Sequence, residues 1–380
     1  DAQLRSRAEY DNGTITPLTE GQMPVAFVNE RARLGLGYQR KNLELKISAQ
    51  HTGTWGQDDI KDRNGRVAMN EAWAKLTFWD GFFAQVGRQQ LSYDDERLMG
   101  TSDWNVAGNW HDALRVGYEN ETDKVHMIFA HNQTKENNRG NFYDGTMPYK
   151  HMQTAWYHHQ WQTAAPIGVS LLFMNVGREA GSNVRGKTRY MQTCGTDLTF
   201  LPDPWDFHAA FYYQTGKTTI DQTVGALMAS AKVGYKLNEQ WKFKVGYDFL
   251  SGEDYETANG NIVVKDDATK SHAFNPLYGT HHSFYGAMDY FYASPFGNGL
   301  APGLQDIQAG ADFKPCDKWH ISLDYHYFLT ASDVIVTDSK SLGHEIDCKV
   351  TAQLMPDVSL SAGYSVMLSQ KAMDFVKGGS

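Results

Sequence analysis

Apolar and polar residues alternate with a period of two along most of this chain. In residues 43–50, Leu, Leu, Ile and Ala alternate with Glu, Lys, Ser and Gln. The same alternation runs through residues 241–249 and 319–327. Successive side chains of a β-strand point to opposite faces, so each run predicts a strand with one apolar and one polar face. No window shows the period of an amphipathic helix, and we expect an all-β protein.

Seventeen such runs follow one another without a domain linker, and they predict a single domain over residues 1–380. The runs cover residues 2–10, 27–39, 43–50, 69–79, 82–89, 113–119, 125–134, 152–162, 167–176, 191–201, 207–215, 224–236, 241–249, 304–314, 319–327, 346–354 and 358–368.

Composition excludes several other classes of protein. No stretch approaches about 18 consecutive apolar residues and the mean hydropathy is −0.53, which argues against a helical membrane protein. A net charge of −9 offers no basic surface, so no nucleic-acid partner is expected. The three cysteines have no metal-site spacing, and neither a metal nor another cofactor is predicted.

The connections between runs alternate between short and long. Short turns occupy residues 40–42, 80–81, 120–124, 163–166, 202–205, 238–240, 315–318 and 356–357. Long polar connections occupy residues 11–26, 53–68, 90–112, 135–151, 177–190, 216–223, 253–282 and 332–344. This alternation is typical of a transmembrane antiparallel up-and-down β-barrel with short periplasmic turns and long extracellular loops. A soluble sandwich or propeller has no reason to keep its long loops at one end.

Aromatic residues recur near the predicted strand ends. Tryptophan and tyrosine favour the membrane interface, because the ring is apolar while its polar atom requires water. The repetition beside turns favours an aromatic girdle, whereas the alternative is the aromatic core or binding face of a soluble carbohydrate-binding β protein. The residues are Trp73, Trp79, Phe82, Trp156, Trp161, Trp205, Trp241 and Trp319.

Seventeen is an odd number of strands for a bacterial barrel, which usually has an even number. We expect about 18 strands, with the closing strand beyond Ser380 and with residues 369–380 as an extracellular loop. A rival count makes residues 282–293 the eighteenth strand, but it places two connections on the wrong sides of the membrane. We therefore assign residues 282–293 to the long excursion over 253–303, as an extra strand or as a lumen-facing segment.

Several segments resemble the alginate export-like outer-membrane porins. The most specific stretch runs from Gly87 to Asn105 and includes GRQQL, DDERL and DWN. The opening QLRSRAEY is also similar, and FYG with MDY and DYHYF looks like variants found in Bacteroidota. The resemblance implies an eighteen-stranded monomeric barrel in the outer membrane of a Gram-negative bacterium. It also implies passive passage of polar, often anionic, solutes such as uronates or oligosaccharides; in the type member an arginine-rich lumen holds a polyuronate.

If the apolar faces contact lipid, the alternate residues line the pore. Eleven basic and nine acidic residues then face the lumen, a mixture that makes ladders of opposite charge across strands and no uniformly positive tunnel. The predicted pore-lining and solute-binding residues are Arg5, Arg7, Arg31, Arg33, Lys46, Lys75, Arg115, Lys242 and Lys244.

Four of these residues form a patch, because neighbouring strands each present two arginines at positions i and i+2. Arg5 and Arg7 lie on one strand, and Arg31 and Arg33 on the next. Guanidinium groups match carboxylates and phosphates, which predicts a filter for anionic solutes. The alternative is that the arginines are structural partners of inward acids such as Glu9.

The connection over 90–112 is a candidate constriction. It carries Tyr93, Asp94, Asp95, Glu96 and Arg97 in one stretch. One hypothesis is that it folds inward and that its acids oppose the arginines of the wall. A solvated extracellular loop with an acidic tip is the slightly simpler interpretation.

The predicted function is a porin for small polar or anionic solutes, with outer-membrane lipid and lipopolysaccharide as surroundings and a monomer favoured. One alternative is a structural or substrate-binding subunit of a larger outer-membrane complex. Another is a barrel hydrolase built on His111 with Asp112 or on His326 with Asp324. No G-x-S-x-G or comparable nucleophile context accompanies these pairs, so no enzyme is predicted.

Overall fold

The computed structural model describes residues 1–61, 66–136, 139–180, 187–259, 261–265, 267–291, 300–334 and 339–378. Among these residues, no helix is both long and apolar enough to cross a membrane.

Seventeen long strands form one sheet. In chain order they are β1 (Ala2–Asp11), β2 (Val25–Arg40), β3 (Leu43–Thr54), β4 (Val67–Thr77), β5 (Phe82–Gln89), β6 (His111–Glu119), β7 (Asp123–His131), β8 (His151–Trp161), β9 (Ile167–Glu179), β10 (Thr188–Phe200), β11 (Trp205–Lys217), β12 (Thr223–Lys236), β13 (Trp241–Leu250), β17 (Leu304–Cys316), β18 (Trp319–Leu329), β19 (Ser341–Met355) and β20 (Val358–Ser369). Three short strands lie in the long excursion: β14 (Tyr255–Ala258), β15 (Asn261–Val264) and β16 (Lys270–Ser271).

Each long strand pairs antiparallel with the next long strand along the chain. The pairing continues across the long excursion, where β13 pairs with β17 and Val245 lies opposite Ala309. This is the predicted up-and-down architecture, with the predicted seventeen strands. Within the described residues, β1 pairs with β2 and β20 pairs with β19, so these two strands are the edges of the sheet. The eighteenth strand stays a prediction.

One segment agrees with its sequence-based assignment and one differs from it. The described part of 282–293, which ends at Phe291, contains a short 3₁₀ turn (His281–Ser283) and no strand, so the rival strand count is wrong. This segment is buried inside the barrel, as the lumen-facing alternative predicts; residues 292–293 lie outside the described residues. The described part of the tail is not a loop: it forms helix α1 (Lys371–Lys377), which packs on β19, and residues 379–380 lie outside the described residues. Ala372, Met373 and Val376 of α1 are buried, because the helix places its apolar residues on one face.

The two faces of the sheet carry opposite chemistry. On β13, Phe243, Val245 and Tyr247 point outward and are 44%, 58% and 38% exposed, whereas Asp248 on the other face is fully buried. Buried charged residues and exposed apolar residues repeat in this way around the sheet, for example at Asp306 and Ile307 of β17. Such an inverted distribution requires an apolar environment outside and a polar interior.

Aromatic rings cluster on the outer face beside the short turns. Trp241 stacks on Phe313 with ring centroids 4.3 Å apart, and Trp205 packs on Tyr235 at 4.5 Å. Trp79 lies beside the turn at 80–81 and is 75% exposed. These positions match an interfacial girdle at the end of the barrel with the short turns.

Two of the tryptophans assigned to this girdle face the lumen. Trp156 is buried and packs on Tyr93, which comes from the connection over 90–112. Trp73 donates a hydrogen bond to the Glu71 carboxylate at 3.1 Å, two residues away on the same inner face. The girdle assignment of both residues is therefore wrong. A tryptophan near a strand end can point either to the outer face of the sheet or into the lumen. Its position in the alternating pattern of the strand decides which face it takes.

The inverted pattern predicts a position-specific effect of charge on β13. Val245→Arg places a guanidinium group on the outer face at the middle of the strand and should lower the free energy of unfolding in bilayers by about 2–4 kcal/mol. Lys244→Arg, one residue away on the lumen face, should leave it within about 0.5 kcal/mol of the wild type. Denaturant titration of the refolded barrel in lipid measures both; equal losses for the two variants would contradict the assignment of the faces.

Candidate solute pathway in the barrel lumen

The connection between β5 and β6 enters the barrel. We call residues 90–110 the inward loop. Leu91, Leu98 and Met99 are at most 3% exposed, and Arg97 is 1% exposed. These side chains form part of an apolar cluster inside the lumen, and burial of a large apolar side chain contributes about 1.5–3 kcal/mol. The structure therefore places the predicted constriction residues in the lumen and not in solvated extracellular loops.

A second segment fills the lumen beside the inward loop. We call residues 272–291 the second inward segment. Its backbone pairs with the inward loop: the amide of Gly100 donates to the carbonyl of Tyr278 at 3.0 Å, and the amide of Tyr278 donates to Leu98 at 2.9 Å. The Thr280 amide and hydroxyl both donate to Glu96. The two segments thus form one unit with its own hydrogen bonds, which satisfy backbone groups that are shielded from water.

The arginine patch holds the inward loop in place. Arg5 donates to the carbonyl of Asp103 at 2.6 Å, and Arg7 donates to the carbonyl of Trp104 at 2.5 Å. Arg31 is fully buried and forms an ion pair with the Asp103 carboxylate at 2.8 Å. The Trp104 ring stacks on the imidazole ring of His282 and also lies under the Arg7 guanidinium group. Each of the two groups is 3.9 Å from the centre of the Trp104 ring. Three of the four arginines of this patch therefore contact the inward loop directly.

Arg33 completes the patch but contacts the wall. Its guanidinium group donates to Gln50 at 2.7 Å, and Gln50 in turn donates to the carbonyl of Ala107 in the inward loop at 2.8 Å. Arg7 also pairs with Glu9 at 2.6 Å, as the structural alternative anticipated. All four arginines lie on the lumen face, and each is linked to the inward loop directly or through one neighbour.

Arg97 joins the inward loop to the opposite wall. Its guanidinium group pairs with Asp95 at 3.0 Å and with the fully buried Asp248 of β13 at 3.1 Å. It also donates to the Ser230 hydroxyl of β12 at 3.1 Å, and it lies 4.2 Å from the centre of the Phe284 ring. Removing one partner of a buried ion pair costs about 3–5 kcal/mol, because the other charge is left uncompensated. Arg97 therefore anchors the inward loop to β12 and β13.

The acidic part of the loop is also held in a fixed conformation. Asp94 accepts a hydrogen bond from the indole of Trp156 at 3.0 Å, and burial raises the pKa of Asp94 to about 6. The Tyr93 hydroxyl contacts the His126 ring at 2.9 Å, and burial raises the pKa of Tyr93 to about 12. Asp94 and Glu96 adopt left-handed backbone angles (φ 53° and 63°), which non-glycine residues hold only where their surroundings determine them.

The remaining predicted pore-lining residues lie on the inner face and have partners there. Lys46 pairs with Glu71 at 2.6 Å, and Arg115 donates to Gln85 at 2.7 Å. Lys75 stands over the Phe83 ring at 4.6 Å. Of these three contacts only Lys46–Glu71 is a pair of opposite charge across strands, whereas Arg115 and Lys75 contact uncharged side chains.

Lys242 and Lys244 line an open space on the other side of the lumen. Lys242 pairs with Asp206 at 2.8 Å, and Lys244 pairs with Asp324 at 3.0 Å. The space is a cavity of about 450 Å³ between the second inward segment and strands β11–β13 and β17–β19. Its lysines are Lys232, Lys242, Lys244 and Lys349, and its aspartates are Asp95, Asp206, Asp324 and Asp347.

A second cavity of about 750 Å³ lies nearer the end of the barrel that carries the short turns. The two cavities follow one another along β19, because Asp347 and Lys349 line the first while Thr351 and Gln353 line the second. They also follow one another along β18, where Asp324 lines the first and His320 the second. Consecutive inward positions of two strands thus mark a path from the second inward segment to this end of the barrel.

Sequence reasoning missed several residues of this path. His208 and His282 line the first cavity, and Phe284 covers it from the second inward segment. The sequence indicates the second inward segment only in part. Residues 282–291 are rich in aromatic residues but lack the period of a strand. Nothing in the pattern shows which strands such a segment contacts.

Comparison with known proteins gives a consistent result. A family model described as alginate export matches residues 37–369. A search of curated proteins returns no significant match.

Several solved structures share the fold. OccK10 (OpdN) of Pseudomonas aeruginosa is 11% identical over 97% of this chain and 98% of that chain, with a TM-score of 0.57. A BenF-like porin from Pseudomonas fluorescens Pf-5 is 10% identical over 97% and 93%, with a TM-score of 0.59. OccK2 (OpdF) of Pseudomonas aeruginosa, solved in complex with glucuronate, is 10% identical over 96% and 90%, with a TM-score of 0.58.

These identities carry the fold alone, whereas the family model spans most of the sequence. It includes the segment from Gly87 to Asn105 on which the resemblance rests most specifically. The chain belongs to the alginate export family of Gram-negative outer-membrane β-barrel proteins.

Proposed function

We propose that this chain is a monomeric porin through which small polar solutes, sugar acids among them, diffuse passively. The observation that carries the proposal is the cavity of about 450 Å³ beside the second inward segment, whose lining on β18 and β19 is continued by that of the wide space at the end with the short turns. Its size falls in the range of small-molecule sites, roughly 300–1,000 Å³. Its walls belong to a barrel that is apolar outside, so the cavity lies inside the membrane-spanning part of the molecule.

The chemistry of the lining suits a solute with hydroxyl and carboxylate groups. The ammonium groups of Lys242 and Lys244 can donate to a carboxylate, and aspartates such as Asp206 and Asp324 can accept from hydroxyls. Glucuronate, which is bound by OccK2, has both kinds of group. Solvated ion pairs of this kind contribute less than about 1 kcal/mol each, so a passing solute can exchange with them at little cost.

The inward loop and the second inward segment make the proposed channel narrow. They fill the lumen beside the arginine patch, and Arg97 fastens them to β12 and β13. A solute that crosses the barrel therefore follows the lysine-bearing wall. We propose a constriction by these two segments, and a low conductance as its consequence.

A catalytic function has little support. His111 contacts the Tyr149 hydroxyl at 2.7 Å, whereas Asp112 pairs with Arg88 at 2.9 Å, so the two are not arranged as a relay. His326 contacts Asp306 at 2.9 Å and lines a wall of lysines and aspartates. We propose that the chain has no enzymatic activity and that its partners are solutes, membrane lipid and lipopolysaccharide.

Neutralising the lysines of the cavity should shift ion selectivity towards cations. With Lys232, Lys242, Lys244 and Lys349 all changed to glutamine, the aspartates of the wall keep their charge without a counter-charge. The reversal potential across a planar bilayer under a KCl gradient should therefore move towards the potassium equilibrium potential.

The matched control removes the same number of charges from exposed positions. These are Lys61, Lys135, Lys187 and Lys217, each changed to glutamine. This variant should keep the wild-type reversal potential. Equal shifts in the two variants, or no channel activity in a wild-type barrel shown to be folded by heat-modifiable gel migration, would contradict the proposed path.

Neutralising the arginine patch should instead release the inward loop. With Arg5, Arg7, Arg31 and Arg33 changed to glutamine, the contacts to Asp103 and Trp104 are lost. Single-channel conductance should rise severalfold, and a spin label at position 105 should become more mobile. The lysine variant is the control, since it leaves these contacts intact. A changed reversal potential with unchanged conductance and label mobility would favour a free anion filter over a fastened loop.

A further inference from the structure

Three side chains of metal-ligand type meet where the inward loop touches the wall. They are Asp95 of the inward loop, Asp197 of β10 and His208 of β11. One carboxylate oxygen of each aspartate and one ring nitrogen of the histidine all lie within 4.8 Å of one another. The ligands come from three separate elements, so no short sequence motif marks them, and the expectation of no metal rested only on the absence of such a motif.

The distances between these atoms are close to those of a coordination shell. The Nε2 atom of His208 is 2.6 Å from Oδ2 of Asp197 and 3.9 Å from Oδ2 of Asp95. Zinc binds nitrogen and oxygen ligands at about 2.0–2.2 Å, so two ligands of a tetrahedral ion are roughly 3.3 Å apart. A bound ion would replace the His208–Asp197 hydrogen bond and draw the Asp95 carboxylate towards the same point.

The charge around the cluster also favours a bound cation. Asp95 and Asp197 contribute two carboxylates, and the partly buried Asp94 adds a third next to them in the chain. The cation in contact is Arg97, but it also compensates the fully buried Asp248. Arg97 is thus shared between Asp95 and Asp248, and Asp248 also has Lys232 at 3.7 Å. A divalent ion between the Asp95 and Asp197 carboxylates would offset their like charge.

The cluster is open to ions from one side. Asp197 is 5% exposed and forms the closed side, whereas Asp95 and His208 line the cavity of about 450 Å³. Three protein ligands and an open position on the cavity side are the arrangement in which zinc retains a water molecule or an exchangeable anion. The mixed nitrogen and oxygen donors also suit zinc better than calcium or magnesium, which prefer oxygen alone.

We propose that Asp95, Asp197 and His208 bind one divalent transition-metal ion of the zinc type, which ties the inward loop to β10 and β11. The ion cross-links the acidic tip of the loop to the wall on the side away from the arginine patch. The site is a binding site within the lumen and does not depend on which solute the barrel passes.

The test is isothermal titration calorimetry with Zn²⁺. The full, untagged chain is used in detergent, after its metals have been removed with a chelator. We expect one tightly bound Zn²⁺ per chain. His208→Ala and Asp197→Asn should each weaken binding at least about tenfold, because even changes outside the ligand shell cost about 10–100-fold at metal sites. Heat-modifiable gel migration shows that each variant barrel is folded.

The matched control is His159→Ala. His159 pairs with the single carboxylate of Asp123 at 2.7 Å and lies at the end of β8 with the short turns. This variant should bind zinc as the wild type does. An absence of binding in the wild type would overturn the proposal and leave a simple His208–Asp197 ion pair. Unchanged affinity in His208→Ala would also overturn it, since the ion would then be bound elsewhere.

Discussion

Backbone amides and carbonyls cannot remain unpaired in hydrocarbon, because each unsatisfied group there costs several kcal/mol. In this chain most of the wall meets the constraint by pairing each long strand with its neighbours along the sequence, so that the seventeen long strands form one continuous sheet; within the described residues β1 and β20 are its two edges. The alternation of side chains then places apolar residues such as Val245 outside and charged residues such as Asp248 inside. The chemistry of the lumen follows from this division.

A wide polar lumen would hold water, but here much of it is filled by protein. The inward loop, the second inward segment and α1 contribute apolar side chains to a cluster inside the barrel. Met99, Phe274 and Met373 belong to this cluster and are almost completely buried. Charged residues of the wall hold these segments in place. The arginine patch binds the inward loop on one side, and Asp248 binds it on the other side through Arg97. Two cavities follow one another along β18 and β19, and this strip is the proposed solute path.

The strands could be predicted from the sequence because the period of two is a local property of each strand. The inner face could be predicted for the same reason, and residues such as Lys46, Lys75 and Lys244 lie where the parity places them. The course of the connections could not, since a loop has no period and its partners are far away in sequence. Asp103 and Trp104 were recognised as part of a family segment, but only the fold shows that they contact Arg5, Arg7 and Arg31. The buried α1 depends on the same kind of contact, which its own sequence does not reveal.

The central claim is that small polar solutes pass through a largely filled barrel. Swelling of liposomes that contain the purified chain measures this passage directly, with potassium glucuronate as the external solute. The account predicts swelling that is faster than in protein-free liposomes and that slows as the solute is lengthened from a monosaccharide to an oligosaccharide. Liposomes with folded protein that swell no faster than protein-free liposomes would contradict it.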